Sequence, residues 1–333
     1  MTLRIVALDD YQGLVERLGL AERLAGELQG AGLDGELAGF ELVAVREHLA
    51  GAALADALAG AQVVVAMRER TRFDRALLSA LPDLRLLVTT GMRNASIDLA
   101  AADDQGVTVC GTEGPQSANT AEIAWGLILS VLRHIPEEHA AVQAGGWQRT
   151  VGRDLLGTRL GLVGLGRIGH QMARIAAGFE MDVVAWSQHL DPAVAAAAGV
   201  TAVTKDELFE TADVVSVHLV LSDRSRGLIG APELRLMQSS AILVNTSRGP
   251  IIDKAALLTA LDEGWIAGAG LDVYDAEPMA ADDPLRTAPR TVLTPHLGYV
   301  TDRTMDYWYD EIAQGIAAWQ RGEPVRVITG EVH

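Results

Sequence analysis

The chain has 333 residues, enough for two domains, and 49% of them are hydrophobic, enough for packed cores. Its net charge of −17 argues against nucleic acid or an anionic membrane surface as a partner. Cys110 is the single cysteine, so a disulfide framework is excluded. The start, Met1–Asp10, reads as a strand without a secretory apolar region, and no apolar run approaches a membrane span. Together these features predict a cytoplasmic protein.

Short apolar runs alternate with helical stretches through the first hundred residues. The runs that read as strands are Arg4–Leu8, Glu41–Val45, Gln62–Ala66, Leu84–Thr89 and Val107–Cys110. Segments between them, such as Leu14–Leu28 and Ala53–Leu58, fit helices. This β-α-β alternation predicts a parallel sheet covered by helices on both faces.

The middle of the chain separates two such series. A polar stretch with Gly, Pro and Ser, Gly111–Ser117, precedes a predicted long helix from Asn119 to Ala144. Thr120 and Glu122 fall in its first turn, where polar and acidic groups suit exposed N–H groups.

A second β-α-β series begins near Thr158. Its predicted strands are Arg159–Val163, Asp182–Trp186, Val214–Leu219, Ala241–Asn245, Ala267–Leu271 and Thr291–Leu293. A last helix is predicted from Arg303 to Arg321, before Gly322 and Pro324.

The first strand of this second series leads into a G-x-G-x-x-G pattern formed by Gly164, Gly166 and Gly169. Gly164 permits a tight turn, Gly166 permits close approach of a pyrophosphate, and Gly169 permits packing of the next helix on its strand. That helix, predicted over 170–177, presents its N-terminus to the phosphates. A merely tight strand–helix turn is the alternative, but the strand before and the helix after favour a dinucleotide site. We include Arg167 and Ile168 among the cofactor-contacting positions.

Only the second series carries this pattern, so we predict a dinucleotide-binding domain over residues 117–297. Residues 1–116 and 298–333 are predicted to form a discontinuous substrate domain. The predicted fold class is α/β, with two doubly wound parallel-sheet domains and a cleft between them. The second domain is of Rossmann type and the first is flavodoxin-like.

Four polar residues stand at or just after strand ends of the second series, at the edge where open α/β sheets bind ligands: Arg248, Asp272, Glu277 and His296. Taken singly, each has an ordinary alternative: a surface ion pair for the arginine, a loop acid or helix cap for the carboxylates, and a structural role for the histidine. Taken together, they supply a carboxylate clamp, a proton donor and an orienting acid, which are the groups that carbonyl reduction needs.

With these residues the chain resembles the D-isomer-specific 2-hydroxyacid dehydrogenases. The matching stretches, in the family's order, are Gly164–Gly169, Ala212–Leu219, Asn245–Pro250, Leu271–Pro278 and Thr294–Thr301. The match weakens over the first hundred residues.

The resemblance implies a role for each matching position. His296 is implied to be the general acid/base, with Glu277 orienting its imidazole and Arg248 binding the carboxylate and keto oxygen of the substrate. Asp272 is implied to hold the nicotinamide amide, and we place Thr246 among the cofactor-binding residues. The loop Thr90–Asn94, which contains Gly91 and Met92, stands where the family offers backbone N–H groups to the substrate carboxylate. The resemblance also implies a homodimer to which the Asn119–Ala144 region contributes.

The choice between NAD and NADP rests on the end of the second strand. NAD-preferring sites usually carry an acid there, but this chain has Ser187. Without a carboxylate to repel a 2′-phosphate, or an arginine to attract one, both cofactors stay open, with a slight preference for NAD.

Three arginines on two loops suggest a second anionic group on the substrate. Arg68 and Arg70 follow the strand Gln62–Ala66. By the resemblance, Met92 and Arg93 stand where many relatives carry a small residue. We hypothesise that the three arginines bind a phosphate, a phosphonate or a second carboxylate. The alternative is surface arginines paired with acids such as Glu69.

The sequence thus predicts an enzyme that transfers hydride between NAD(P)H and a 2-oxo acid to give a D-2-hydroxy acid. A formate or phosphite dehydrogenase of the same fold is one alternative, although Glu277 argues against the former. A nucleotide-sensing corepressor or scaffold without turnover is another. No His, Cys and acid cluster has metal-ligand spacing, so no metal is expected.

Overall fold

The structure is a computed structural model that describes residues 2–32, 39–114 and 118–329. Its strands are β1 (Leu3–Ala7), β2 (Phe40–Ala44), β3 (Val63–Ala66), β4 (Leu86–Thr89), β5 (Thr108–Gly111), β6 (Arg159–Val163), β7 (Asp182–Trp186), β8 (Thr201–Ala202), β9 (Val214–Val217), β10 (Ile242–Asn245), β11 (Gly268–Leu271) and β12 (Thr291–Leu293). Its helices are α1 (Leu14–Arg17), α2 (Leu20–Gly30), α3 (Gly51–Leu58), α4 (Arg75–Ser79), α5 (Leu99–Asp104), α6 (Asn119–Leu132), α7 (Ile135–Gln143), α8 (Arg167–Gly178), α9 (Pro192–Ala197), α10 (Lys205–Thr211), α11 (Ala231–Leu236), α12 (Lys254–Glu263) and α13 (Asp302–Gln320).

These elements form two compact units. The first contains the described residues up to 114 together with those from Thr301 onward, and the second contains the described residues from 118 to Val300. The predicted boundary between 116 and 117 lies outside the described residues, as does the end of the polar stretch Gly111–Ser117.

The first unit is built on a parallel sheet in the order β2-β1-β3-β4-β5. Strands β3 and β4 are buried along their whole length, because helices cover a parallel sheet on both faces. The C-terminal helix α13 belongs to this unit and packs against α2 and β4. Beyond α13, Val327 forms an antiparallel bridge with Cys110, and the N–H of Ile328 donates to the carbonyl of Val109 (2.8 Å).

The second unit is built on a parallel sheet in the order β12-β11-β10-β9-β6-β7-β8. The chain runs outward from β6 to β8 and then returns to place β9 on the other side of β6. The strand order therefore reverses between β6 and β9, where open α/β sheets bind their ligands at the carboxyl ends of the strands. The predicted α/β fold with two parallel sheets is confirmed.

The single helix predicted from Asn119 to Ala144 is wrong, because the structure divides it into α6 and α7. Pro136 has no N–H to donate to the carbonyl of Leu132, one turn earlier. His134 takes a left-handed conformation at the break (φ 51°), and the carbonyl of Leu132 instead accepts from the N–H of Arg153 (3.0 Å).

The predicted helix Leu14–Leu28 is likewise divided into α1 and α2. Gly19 separates them with φ 63°, a left-handed conformation that glycine adopts at little cost. Strand β8 was not predicted, since two residues carry too little periodicity to identify a strand.

Candidate active site

His296 and Glu277 form a close pair at the carboxyl edge of the second sheet. His296 follows β12, and Glu277 lies in the loop after β11. The imidazole Nδ1 lies 2.5 Å from Oε2 of Glu277, and both side chains are mostly buried. The ring of Tyr299 meets the imidazole edge-on, with centroids 5.2 Å apart. The carboxylate fixes the direction of Nδ1 and leaves the opposite nitrogen, Nε2, for proton transfer.

Asp272 holds the turn that carries His296. Its carboxylate accepts the N–H groups of Leu297 (2.7 Å) and Gly298 (2.8 Å) and the hydroxyl of Thr294 (2.5 Å). The side chain is fully buried, and burial raises the pKa of this carboxyl although the three hydrogen bonds act in the opposite direction. The family resemblance implies that Asp272 contacts the cofactor. The structure shows that Asp272 also contacts the turn that carries His296.

Arg248 lies on a tight turn after β10. Asn245 closes this turn, because its side-chain amide donates to the carbonyl of Arg248 (2.9 Å) and its Oδ1 accepts from the N–H of Ser247 (2.9 Å). The guanidinium Nη1 donates to the carbonyl of Ser247 (2.8 Å). Asn245 is paired with Leu271 in the sheet, so the Arg248 turn and the Asp272 loop leave neighbouring strands at the same edge.

The glycine-rich turn has the geometry that a pyrophosphate site requires. Gly164 has φ 105°, and a Cβ there would lie 2.7 Å from the carbonyl oxygen of His218. A Cβ on Gly169 would lie 2.4 Å from the carbonyl oxygen of Gly164. Gly166 precedes α8 without a side-chain cap, and a Cβ there would meet nothing within 4 Å. The N-terminal turn of α8, with Arg167 and Ile168, is thus open to an anion.

Two polar atoms at this edge of the sheet lack a partner among the described residues: the hydroxyl oxygen of Thr246 and Nδ1 of His218, both buried. The imidazole of His218 contacts the hydroxyl of Ser216 through Nε2 (2.9 Å), and burial lowers its pKa to about 4. Since buried polar atoms in native proteins are nearly always satisfied, the two orphaned atoms suit a polar ligand. Ser187, directly after β7, is half-buried. These residues fit a dinucleotide.

The predicted substrate loop belongs to the first unit. Gly91 has φ 93°, and its N–H donates to the hydroxyl of Thr112 (2.8 Å). Met92 is exposed, and so is Arg93.

Arg68 lies against this loop and is mostly buried. Its Nη1 donates to the carbonyl of Thr90 (3.3 Å), its Nε lies 3.5 Å from Oε2 of Glu69, and a Cβ on Gly91 would come within 2.1 Å of Nη1. The guanidinium carbon lies 6.0 Å from the ring centre of Trp308. The fold thus brings Arg68 and Gly91 together.

Arg70 is held elsewhere in the first unit. Its Nη1 donates to the carbonyl of Asp9 (3.0 Å), and its guanidinium lies over the ring of Tyr11 at 4.6 Å. These contacts hold Arg70 against the loop after β1, and those of Arg68 hold it against Gly91.

The part of the chain that the structure describes contains neither a candidate metal site nor a candidate membrane span. Among residues 2–32, 39–114 and 118–329, no group of three or more His, Cys, Asp and Glu side chains could hold a metal ion. In the same part of the chain, no helix combines the length and the apolar character needed to cross a membrane.

Comparison with known proteins identifies the family. Residues 125–298 match the family described as D-isomer specific 2-hydroxyacid dehydrogenase, NAD binding domain. A glyoxylate reductase from Korarchaeum cryptofilum is 36% identical over 266 residues, which cover 78% of this chain and 80% of the relative. A D-3-phosphoglycerate dehydrogenase from Archaeoglobus fulgidus is 34% identical over 264 residues, covering 79% of this chain and 50% of the relative. The crystal structure of a phosphoglycerate oxidoreductase from Vibrio cholerae superimposes with a TM-score of 0.88 at 31% identity, covering 96% of this chain and all of that one. The chain therefore belongs to the D-isomer-specific 2-hydroxyacid dehydrogenase family and is an oxidoreductase that acts on CH–OH groups with NAD(P).

Proposed function

We propose that this enzyme reduces a 2-oxo acid to a D-2-hydroxy acid, with His296 as the proton donor. The observation that carries the proposal is the 2.5 Å contact between His296 Nδ1 and Glu277, at the same sheet edge as the Arg248 turn and the glycine-rich turn. An imidazole oriented by a carboxylate suits general acid/base catalysis. The residues of this edge all belong to the second unit.

Each side chain has one role in this proposed reaction. Arg248 binds the substrate carboxylate with two parallel N–H donors, which fixes the position of the neighbouring carbonyl. NAD(P)H, held by the glycine-rich turn and the N-terminal turn of α8, would supply the hydride for the carbonyl carbon. Protonated His296 gives its Nε2 proton to the carbonyl oxygen as negative charge develops there. Glu277 stabilises the imidazolium beforehand and keeps the ring in the orientation for transfer.

We propose that Arg68 and Arg93, with the loop around Gly91 and Met92, are the substrate-binding residues of the first unit. Glu69 offsets part of the charge of Arg68, so a monoanionic substrate meets little excess positive charge there. Arg93 is exposed and adds a cation from the same loop. The name of one similar relative, glyoxylate reductase, denotes a substrate with one carboxylate, and the name D-3-phosphoglycerate dehydrogenase denotes one that also carries a phosphate. The contact of Arg68 with Glu69 fits the alternative of a paired arginine, so the second anionic group is a hypothesis that the substrate screen decides.

A steady-state screen tests both parts of the proposal. The panel contains glyoxylate and pyruvate as monoanions, with dicarboxylate and phosphonate 2-oxo acids as dianions, each with NADH and with NADPH. Reduction of some members supports the proposed reaction. Failure of all of them, with tight NADH binding, rejects the reaction and favours a nucleotide sensor. Arg93→Ala and Arg68→Ala are expected to weaken use of dianions more than use of monoanions, and equal losses reject a second anion site.

We propose NAD as the preferred cofactor, because no arginine or lysine follows Ser187 to bind a 2′-phosphate. Dissociation constants of NADH and NADPH, measured by fluorescence, decide between them. Ser187→Asp is expected to weaken NADPH binding selectively, since the new carboxylate repels the 2′-phosphate. Tighter binding of NADPH than of NADH to the unmodified enzyme rejects the preference.

We propose a homodimer formed through the segment around and after α7. Apolar side chains are exposed there, including Ile135 and Val142, with Trp147 at 75% and Val151 at 92% exposure. Exposed apolar side chains that are this close in sequence favour burial against a second copy. Sedimentation of a Trp147→Asp, Val151→Asp double variant is expected to show monomers, whereas Val194→Asp on α9 leaves a dimer. A monomeric unmodified protein rejects the proposal.

A further inference from the structure

Tyr274 contacts Glu277 through its main chain. It lies in the loop after β11, two residues beyond Asp272. Its N–H donates to Oε1 of Glu277 (2.9 Å), while the other carboxylate oxygen, Oε2, faces His296. The carboxylate is therefore held on both sides, by a fixed backbone donor and by the imidazole.

The phenol of Tyr274 reaches the turn that carries His296. Its hydroxyl lies 2.9 Å from the carbonyl oxygen of Thr294 and 3.1 Å from that of Leu271. The carbonyl of Thr294 also accepts the N–H of His296 (3.0 Å), which closes the turn in which His296 has φ 56°. The phenol thus ties the end of β11 to the base of the histidine turn.

The backbone of Tyr274 also packs against the Arg248 turn. A Cβ on Gly249 would lie 2.2 Å from the carbonyl carbon of Tyr274 and 2.4 Å from its oxygen. A side chain at position 249 would force the two loops apart. One residue therefore contacts the carboxylate, the histidine turn and the arginine turn of the proposed site.

The phenol remains a neutral donor throughout the physiological pH range. Burial is the largest cause that raises its pKa, and the negative charges of Asp272 and Glu277 raise it further. Ionisation would convert the hydroxyl from a donor to an acceptor facing two carbonyl oxygens, so the neutral form is the one that holds the loops.

We propose that Tyr274 is a positioning residue that sets the geometry of the His296–Glu277 pair relative to Arg248. The kinetic effects that we expect from this inference rest on the proposed function, whereas the contacts of Tyr274 do not. None of these three contacts requires Tyr274 to touch the substrate or the cofactor, so its effect on the reaction passes through the residues that it positions.

Tyr274→Phe tests the role of the hydroxyl alone. The variant is expected to fold, because the two carbonyls keep other donors: Thr294 N–H for Leu271 and His296 N–H for Thr294. We expect kcat at saturating NADH to fall about tenfold, since small displacements of reacting groups are costly. The pH at which the reduction rate falls to half is expected to move downward, because a less well placed Glu277 stabilises the imidazolium less. The dissociation constant of NADH is expected to change less than about twofold.

Tyr309→Phe on α13 is the matched control, since Tyr309 is a buried tyrosine of the first unit. Its kcat and pH profile should equal those of the unmodified enzyme. A Tyr274→Phe variant with unchanged kcat and unchanged pH profile overturns the positioning role.

A second measurement works without turnover. The NMR chemical shifts of the His296 imidazole, compared at one fixed pH between the unmodified protein and Tyr274→Phe, report the geometry of the pair. Changed shifts in this variant, with none in Tyr309→Phe, support the role, even if the proposed reaction were rejected by the substrate screen. Unchanged shifts contradict the role, even if the reaction is confirmed.

Discussion

The imidazole of His296 meets the carboxylate of Glu277 at 2.5 Å while the histidine backbone is in the left-handed region, at φ 56°. Left-handed backbone at a non-glycine residue costs about 1 kcal/mol. Such a conformation persists when the surroundings determine it, and it is often found at functional sites. Here the surroundings are Asp272, which accepts three hydrogen bonds from the turn, and Tyr274, which donates to its base.

Replacing either member of this pair should abolish most of the activity. His296→Ala removes the proton donor, and kcat for 2-oxo acid reduction is expected to fall at least about 10²-fold. Glu277→Gln removes the charge that stabilises the imidazolium. The decrease in kcat of this variant, relative to the unmodified enzyme, should therefore be larger at higher pH. Steady-state kinetics across pH measure both effects, with Glu263→Gln at the exposed end of α12 as the control. Retention of kcat in His296→Ala would reject the proposed role.

Asp272→Asn should impair the chemical step as well as cofactor binding. Three donors converge on the two carboxylate oxygens, and an amide would turn its NH₂ group toward at least one of them. We expect kcat at saturating NADH to fall about 10-fold or more, because the His296 turn loses its anchor.

Thr294→Val separates the two roles of Asp272, since it removes one hydrogen bond and leaves the carboxylate intact. It is expected to lower kcat severalfold with little change in the dissociation constant of NADH. If both variants change only the NADH dissociation constant, Asp272 acts on the cofactor alone.

Gly164→Ala should weaken dinucleotide binding. A methyl group there would lie 2.7 Å from the carbonyl oxygen of His218, on a backbone with φ 105°. The turn would have to shift, and we expect the dissociation constant of NADH to rise at least about tenfold.

Gly178→Ala at the end of α8 is the matched control, because a Cβ there meets nothing within 4 Å. Isothermal titration calorimetry measures the dissociation constant of NADH for both variants. Equal affinities in the two variants would mean that the glycine-rich turn does not approach the cofactor.

The parallel sheets were predictable because their strands are short continuous apolar runs. Strands β10 and β11 are buried throughout, and each precedes polar residues that were chosen as site candidates. In a parallel sheet all carboxyl ends lie at one edge, so residues far apart in sequence could be placed at a shared edge. The closeness of His296 and Glu277 was expected from the family resemblance, and the structure shows the contact.

The supporting residues could not be predicted in the same way. Tyr274 and Thr294 lie in stretches that match the family, but neither residue type by itself indicates a contact with the histidine turn. Their contacts depend on how two loops from neighbouring strands meet, which is tertiary information. The break between α6 and α7 was missed although Pro136 is a helix-breaking signal in the sequence.

The buried imidazole of His218 should make the second unit less stable as the pH falls. Its pKa is lowered by burial to about 4, whereas an unfolded chain binds this proton near the ordinary value of about 6.5. Between these values the unfolded state binds more protons than the folded state, so the free energy of unfolding decreases as pH decreases. The loss attributable to His218 is roughly 1 kcal/mol at about pH 5.5 and is absent above about pH 7.

Urea unfolding of the unmodified protein and of His218→Gln at about pH 7.5 and about pH 5.5 measures this difference. Other groups also titrate over this interval, but they are shared by the two proteins and cancel in the comparison. His139→Gln, at an exposed position on α7, serves as the control because an exposed imidazole keeps its hydration in the folded state. We expect His218→Gln to lose less stability than the unmodified protein on acidification, and His139→Gln to lose as much. Equal losses of unfolding free energy in all three proteins would show that the His218 ring is accessible to protons in the folded state. Nδ1 of His218 would then no longer count as a buried polar atom that suits the dinucleotide.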